Sequence, residues 1–178
     1  MRSKDWSRIL IGVAISAPIP YVAHAEVYLS ENQAAMILFP GVKLEAGWMN
    51  LSLPEMKSIA KISGERVPSD HIHVWWGPDR QAMIIDHVLG KHEFITYAVG
   101  ITFDGKIKGI EIMDYRETYG YQIREAQWRR KFVGKSLQDP LKLDKDIPNI
   151  SGATLSCAHV TNGVRRILQT YEILKSKI

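Results

Sequence analysis

The 178-residue sequence has one cysteine, Cys157. A single thiol rules out an internal disulfide, a Cys-x-x-Cys-His haem attachment and a cysteine-held iron–sulfur cluster. There is no Lys/Arg block with interleaved aromatics, and the formal net charge of +4 includes an N-terminal segment expected to be removed. Charge therefore gives no argument for a nucleic-acid partner. Internal repeats and low-complexity tracts are also missing. The remaining composition, 46% hydrophobic and 24% charged, fits one globular domain with a sizeable core.

The longest apolar run, Ile9 to Ala17, falls far short of the ~20 residues a spanning helix needs. It follows the basic stretch Met1 to Arg8 and precedes Pro18, Pro20 and the small-residue pair Ala23 and Ala25. Those three parts make a secretory signal peptide over 1–25, cut after Ala25; the alternative is a retained N-terminal anchor facing the periplasm. The expected product is an exported, periplasmic chain of one domain, 26–178. The residue directly after the cut is Glu26, not a cysteine, which argues against a lipoprotein. Cys157 lies on the apolar face of the last helix and reads as a buried core residue.

Ser30 with Gln33 forms a capping-box pattern that opens a short helix through Leu38, stopped by Pro40-Gly41. A second short helix begins near Pro54 and ends at Gly64. Together these form a helical extension over about 26–65, expected to cover the sheet that follows. From His71 the pattern is that of strands: Ile72–Trp76, Ala82–Val88, Phe94–Phe103 and Ile107–Met113. Asp104-Gly105 marks a tight hairpin. The expected fold class is α+β, an antiparallel β-sheet meander with one face packed by helices.

His71, His73, His87 and His92 raise the question of a metal, since His-x-His on a strand puts two imidazoles on one face. Nothing supplies a third ligand at a matching spacing, so no metal site is assigned. Beyond the sheet, Tyr115 to Tyr121 leads to an expected helix carrying Trp128 and Phe132 and closed by Gly134, and a polar loop runs from Leu137 to Asn149. The last helix is amphipathic, with Cys157, Val160, Val164, Ile167, Leu168, Tyr171 and Leu174 on one face.

The stretch that opens this helix is Ile150-Ser151-Gly152-Ala153-Thr154-Leu155-Ser156. Gly152 and Ala153 leave the backbone open to a bulky group, and the amides of a helix start favour an anion such as phosphate. The plainer alternative is an N-terminal cap in which Ser151 or Thr154 accepts a backbone hydrogen bond.

Ser151-Gly152-Ala153-Thr154 followed by Leu155-Ser156 resembles the flavinylation motif of the FMN-binding domain family. Its members include the C subunit of the sodium-translocating NADH:quinone reductase and the G subunit of the Rnf complex. The resemblance implies FMN joined through a phosphoester to Thr154, installed by a flavin transferase that uses FAD and magnesium. Where the family usually has an acidic residue this chain has Pro148, and the nearest carboxylate is Asp146. Glu117-Thr118-Tyr119-Gly120 is similar to the family's Glu-Thr-Pro-Gly stretch, with Tyr119 in place of proline, and Phe132-Val133-Gly134-Lys135 is similar to the ending of its next helix. That similarity implies a loop near the flavin, with Tyr119 or Tyr121 available to stack on the ring or, alternatively, anchoring loop to core. The likeness reaches back weakly to about Ile72.

The expected function is an extracytoplasmic electron carrier that exchanges electrons with a membrane or periplasmic redox partner. Two alternatives remain: a flavin-dependent reductase of a small molecule, and a flavin-free binding module on the same fold.

Overall fold

The structure, a computed structural model, describes residues 29–178, so the expected signal peptide over 1–25 lies outside the described residues. Ser30 begins the first helix as anticipated. Its hydroxyl accepts from the Gln33 amide while the Gln33 side chain accepts from the Ser30 amide, which fixes the start of α1, Glu31–Leu38. After α2, Leu53–Ser63, Gly64 takes a left-handed conformation with φ 77° and ends the helix.

Five antiparallel strands follow one another in chain order across the sheet: β1 Glu45–Asn50, β2 His71–Trp76, β3 Ala82–Leu89, β4 Phe94–Ile101 and β5 Ile107–Tyr115. The α+β meander is thus as expected. At the Asp104-Gly105 turn, the Thr102 amide donates to the Lys106 carbonyl at 2.9 Å.

Three features differ from the sequence reading. First, β1 lies between the two short helices of the expected helical extension, where no strand was expected. Glu45, Gly47 and Asn50 are poor strand formers, and this edge strand buries none of its residues. Six register pairs with β2 hold it, a tertiary contact without local signal.

Second, α1 and α2 do not form one cover, and helices pack both faces of the sheet. On one face, Ala34, Leu38 and Phe39 of α1 and the residue after it meet Met83, Ala98 and Met113. The long helix α4, Thr154–Lys175, packs on the other face with α2 against it. The reason lies in small residues: Gly100 and Gly109 pair across β4 and β5, and a Cβ on Gly109 would stand 2.9 Å from Leu38 Cδ2. The α1 side can therefore sit directly on the strands.

Third, the helix expected around Trp128 is broken. It consists of a 3-10 turn at Tyr121–Arg124, one α turn α3 at Ala126–Arg129, and a 3-10 turn at Arg130–Phe132. The chain must reverse at once, because the Gly134 amide donates to the Ile107 carbonyl at 2.8 Å. Trp128 and Phe132 still pack edge to face in the core, with centroids 5.0 Å apart.

A buried ion pair fixes α4 on the sheet. Arg166 donates through Nε and Nη2 to Asp86 Oδ2 at 2.9 and 2.7 Å, and the Tyr97 hydroxyl donates to the same oxygen at 3.2 Å. Each polar atom of the cluster has a partner, which offsets the cost of burying the two charges. Cys157 is fully buried in the same core. Among the described residues, no helix is long and apolar enough to cross a membrane.

Candidate functional site

Thr154 is the first residue of α4 and is exposed. The helix begins without a side-chain cap: Ala153 occupies the cap position, and neither the Ser151 nor the Thr154 hydroxyl accepts a capping bond. The plain capping role does not describe these residues. Backbone bonds form the start instead, with the Ala153 amide donating to the Ile150 carbonyl and the Cys157 amide to the Ala153 carbonyl, both at 2.9 Å. Gly152 turns the chain with φ 83°, and a Cβ there would meet nothing within 4 Å. The helix start therefore opens outward, its partial positive charge facing solvent.

The Glu117–Gly120 loop is brought against this start. Gly120 has φ 84°, and a Cβ on it would lie 2.5 Å from Ala153 Cβ and 2.8 Å from the Tyr115 hydroxyl. Only glycine lets the two segments touch at this point. Tyr115, whose hydroxyl donates to the Tyr119 carbonyl and interacts with the buried Ser156, braces the contact from below. Burial raises the Tyr115 pKa, so the phenol stays protonated and available as a donor.

Between the segments lies a cleft of about 380 Å³, lined by Gly152, Ala153, Thr154, Leu155, Ser156, Glu117, Thr118 and Tyr119, together with Lys91 and His92. Of the residues singled out from sequence, Ser151 sits exposed beside the cleft and Gly120 is buried beneath it. Tyr119 is 75% exposed at the cleft wall, whereas Tyr121 lines a different hollow with Glu111 and Arg129. Neither tyrosine anchors a loop to the core.

Lys91 is a site residue that the sequence does not single out, since Gly90-Lys91 carries only a turn signal, and His92 stands out there only as a possible metal ligand. They come from the β3–β4 turn, closed by the Gly90 amide donating to the Glu93 carbonyl at 2.8 Å. Glu117 ties this turn to the site. Its Oε1 accepts from the His92 amide at 2.6 Å and the Glu93 amide at 3.2 Å. Burial pushes the Glu117 pKa up, but the amides of His92, Glu93 and Lys91 outweigh it and hold the carboxyl below its usual range.

Asp146, the carboxylate nearest in sequence to the missing acidic residue, is occupied elsewhere. It accepts from the Leu141 and Lys142 amides at 3.1 and 2.8 Å and pairs with Lys135 at 3.0 Å. Pro148 is exposed, and its carbonyl accepts from Trp128 Nε1 at 2.8 Å. Of the four strand-region histidines, His71, His73 and His87 line one hollow with Trp48 and Arg166, where His71 bonds Asn50, His73 stacks on Trp48 and His87 meets the edge of Phe94, while His92 is at the cleft. Among the described residues, no group of three or more His, Cys, Asp or Glu side chains is placed to hold a metal ion.

Comparison with known proteins agrees with the family resemblance. Residues 90–169 match the family model described as FMN-binding domain. The match covers every residue lining the cleft. The G subunit of the Na(+)-translocating ferredoxin:NAD(+) oxidoreductase complex of Acetobacterium woodii is 27% identical over 135 residues, 67% of this chain and 65% of that protein. The G subunit of the ion-translocating oxidoreductase complex of Erwinia tasmaniensis is 30% identical over 95 residues, 47% of this chain and 45% of that protein. The chain thus spans 65% and 45% of the lengths of these curated relatives.

Proposed function

We propose that this chain, similar over residues 90–169 to the FMN-binding domain family, is an FMN-binding electron-transfer protein with FMN joined through a phosphoester to Thr154. The observation that carries this reading is the cleft in which an exposed threonine, at a helix start without a side-chain cap, faces the Glu117–Gly120 loop.

The residues present suit the cofactor. A phosphate at Thr154 would be held by the amides of the first turn of α4, where the helix dipole favours negative charge. Gly152 leaves space beside it. Leu155 and Tyr119, both exposed, supply the apolar and aromatic surface to cover a planar ring. When bound, FMN supplies reversible electron transfer, and the protein's part is to hold the ring, set the charge around it and leave an edge open.

A covalent link keeps the cofactor in place outside the cytoplasm, where a free flavin would diffuse away. The location follows from the expected signal peptide over 1–25, which also makes the mature chain a single domain from residue 26. Maturation then requires a flavin transferase. The named relatives are subunits of ion-translocating oxidoreductase complexes, which supports a membrane redox partner.

The test is the intact mass of the exported protein, purified under denaturing conditions after co-expression with a flavin transferase. An FMN-sized addition that disappears in Thr154→Ala is expected. An unmodified mass refutes the covalent link, and a colourless native sample in addition refutes flavin binding.

A further inference from the structure

A lysine lines the cleft, on a turn whose backbone is held by an acidic residue. Lys91 lines it beside Thr154 and Tyr119, but the turn carrying Lys91 is short and exposed. What fixes this turn is Glu117. The carboxylate sits among the amides of the turn, taking the His92 and Glu93 N–H groups on one oxygen. Gly90 makes room for it, because a Cβ there would stand 2.5 Å from Glu117 Oε1 and 3.1 Å from the Glu93 carbonyl. On the other side, the His159 ring nitrogen Nδ1 donates to the Leu89 carbonyl, tying the end of β3 to α4. The turn is held at both ends, with Lys91 lining the cleft.

We propose that Glu117 is a positioning residue that holds the Gly90–Glu93 turn so that Lys91 places a positive charge beside the cofactor ring and raises its reduction potential. This rests on the FMN reading above. A carboxylate at this point could instead act on the ring by its own charge, and the two roles have opposite signs. A positive charge beside the ring favours the reduced, more negative form. Removing Lys91 lowers the potential. Removing Glu117 would raise it if the carboxylate acted directly, but lowers it if Glu117 works by keeping Lys91 in place.

The test uses the FMN-loaded protein and three variants, Lys91→Gln, Glu117→Ala and Gly90→Ala, in redox titrations. Lys91→Gln is expected to shift the ratio of oxidised to reduced flavin at a fixed potential by about tenfold, which is about 30 mV for a two-electron couple. Glu117→Ala and Gly90→Ala should move the potential in the same downward direction. The double variant Lys91→Gln/Glu117→Ala should go no lower than Lys91→Gln alone. A rise in Glu117→Ala, or no change in Lys91→Gln, overturns the proposal. Loss of FMN mass at Thr154 in Lys91→Gln with an unchanged potential in the loaded remainder also overturns it, because Lys91 would then serve attachment.

A second measurement needs no flavin. In the apoprotein, amide exchange at His92 and Glu93 should be slow in the wild type and at least tenfold faster in Glu117→Ala and Gly90→Ala. Equal exchange rates overturn the positioning role. If the wild type carries no FMN, the functional reading fails by itself and the exchange rates still decide what Glu117 does.

Discussion

Gly120→Ala tests the contact on which the cleft depends. The new methyl group would lie 2.5 Å from Ala153 Cβ, 2.8 Å from the Tyr115 hydroxyl and 3.3 Å from Ala153 Cα, at a residue with φ 84°. The left-handed backbone costs an alanine about 1–2 kcal/mol. Overpacking against Ala153 and Tyr115 adds about 1–3 kcal/mol. The reduced freedom of the unfolded chain returns about 0.4–1 kcal/mol. The net expectation is a destabilisation of about 2–4 kcal/mol, a fall of roughly 1–2 M in the urea midpoint at a typical slope. Gly134→Ala is the matched control, since Gly134 has φ 80° and nothing within 4 Å of its virtual Cβ. That variant bears only the backbone strain and should lose about 1 kcal/mol or less. Urea unfolding of both, followed by tryptophan fluorescence, gives the difference directly. Adding Ala153→Gly, which removes the nearest atom, should recover part of the loss in Gly120→Ala. Equal midpoints for the Gly120 and Gly134 variants would refute the contact between the two walls of the cleft.

Two further perturbations bear on the scaffold. Asp86→Asn leaves the guanidinium of Arg166, a residue 5% exposed, without its carboxylate, and urea unfolding should show a loss of about 3–5 kcal/mol. Replacing both partners, as Asp86→Leu with Arg166→Met, should cost much less; an equal or greater loss would mean that the charges are not the cause. Glu55 has its pKa lowered to about 2, chiefly by the Ser52 amide and then by Lys177. A lowered folded pKa stabilises above the ordinary value of 4.5 and is lost as the pH falls toward about 2. Glu55→Gln should therefore melt below the wild type at pH 7, by no more than about 1 kcal/mol because solvent screens the pair, and the two melting temperatures should converge in acid.

The sequence was informative where the signal is local. The Ser30–Gln33 box, the Gly64 stop and the Asp104-Gly105 turn depend on neighbours within four residues, and each forms as expected. β1 lacked such a signal because its inward face has only Gly47 and Met49, half-buried between exposed residues. The coverage of both sheet faces did leave a trace. From Tyr97 to Ile101 every residue of β4 is buried, a continuous run where a sheet packed on one side would alternate. Lys91 had no trace as a site residue and His92 stood out only as a possible metal ligand, since nothing in a turn's composition tells which loop it will meet.

By itself, the sequence determined the meander, the amphipathic last helix and the small-residue stretch with a hydroxyl at its start, because hydrophobic period and turn chemistry act over a few residues. Only the tertiary structure decided which side chains meet there. Packing of Gly120 on Ala153 makes the cleft, the amides of the β3–β4 turn claim the Glu117 carboxylate, and Tyr119 rather than Tyr121 faces the opening. These contacts join residues far apart in the chain, and their geometry is set by how the sheet and α4 fit together.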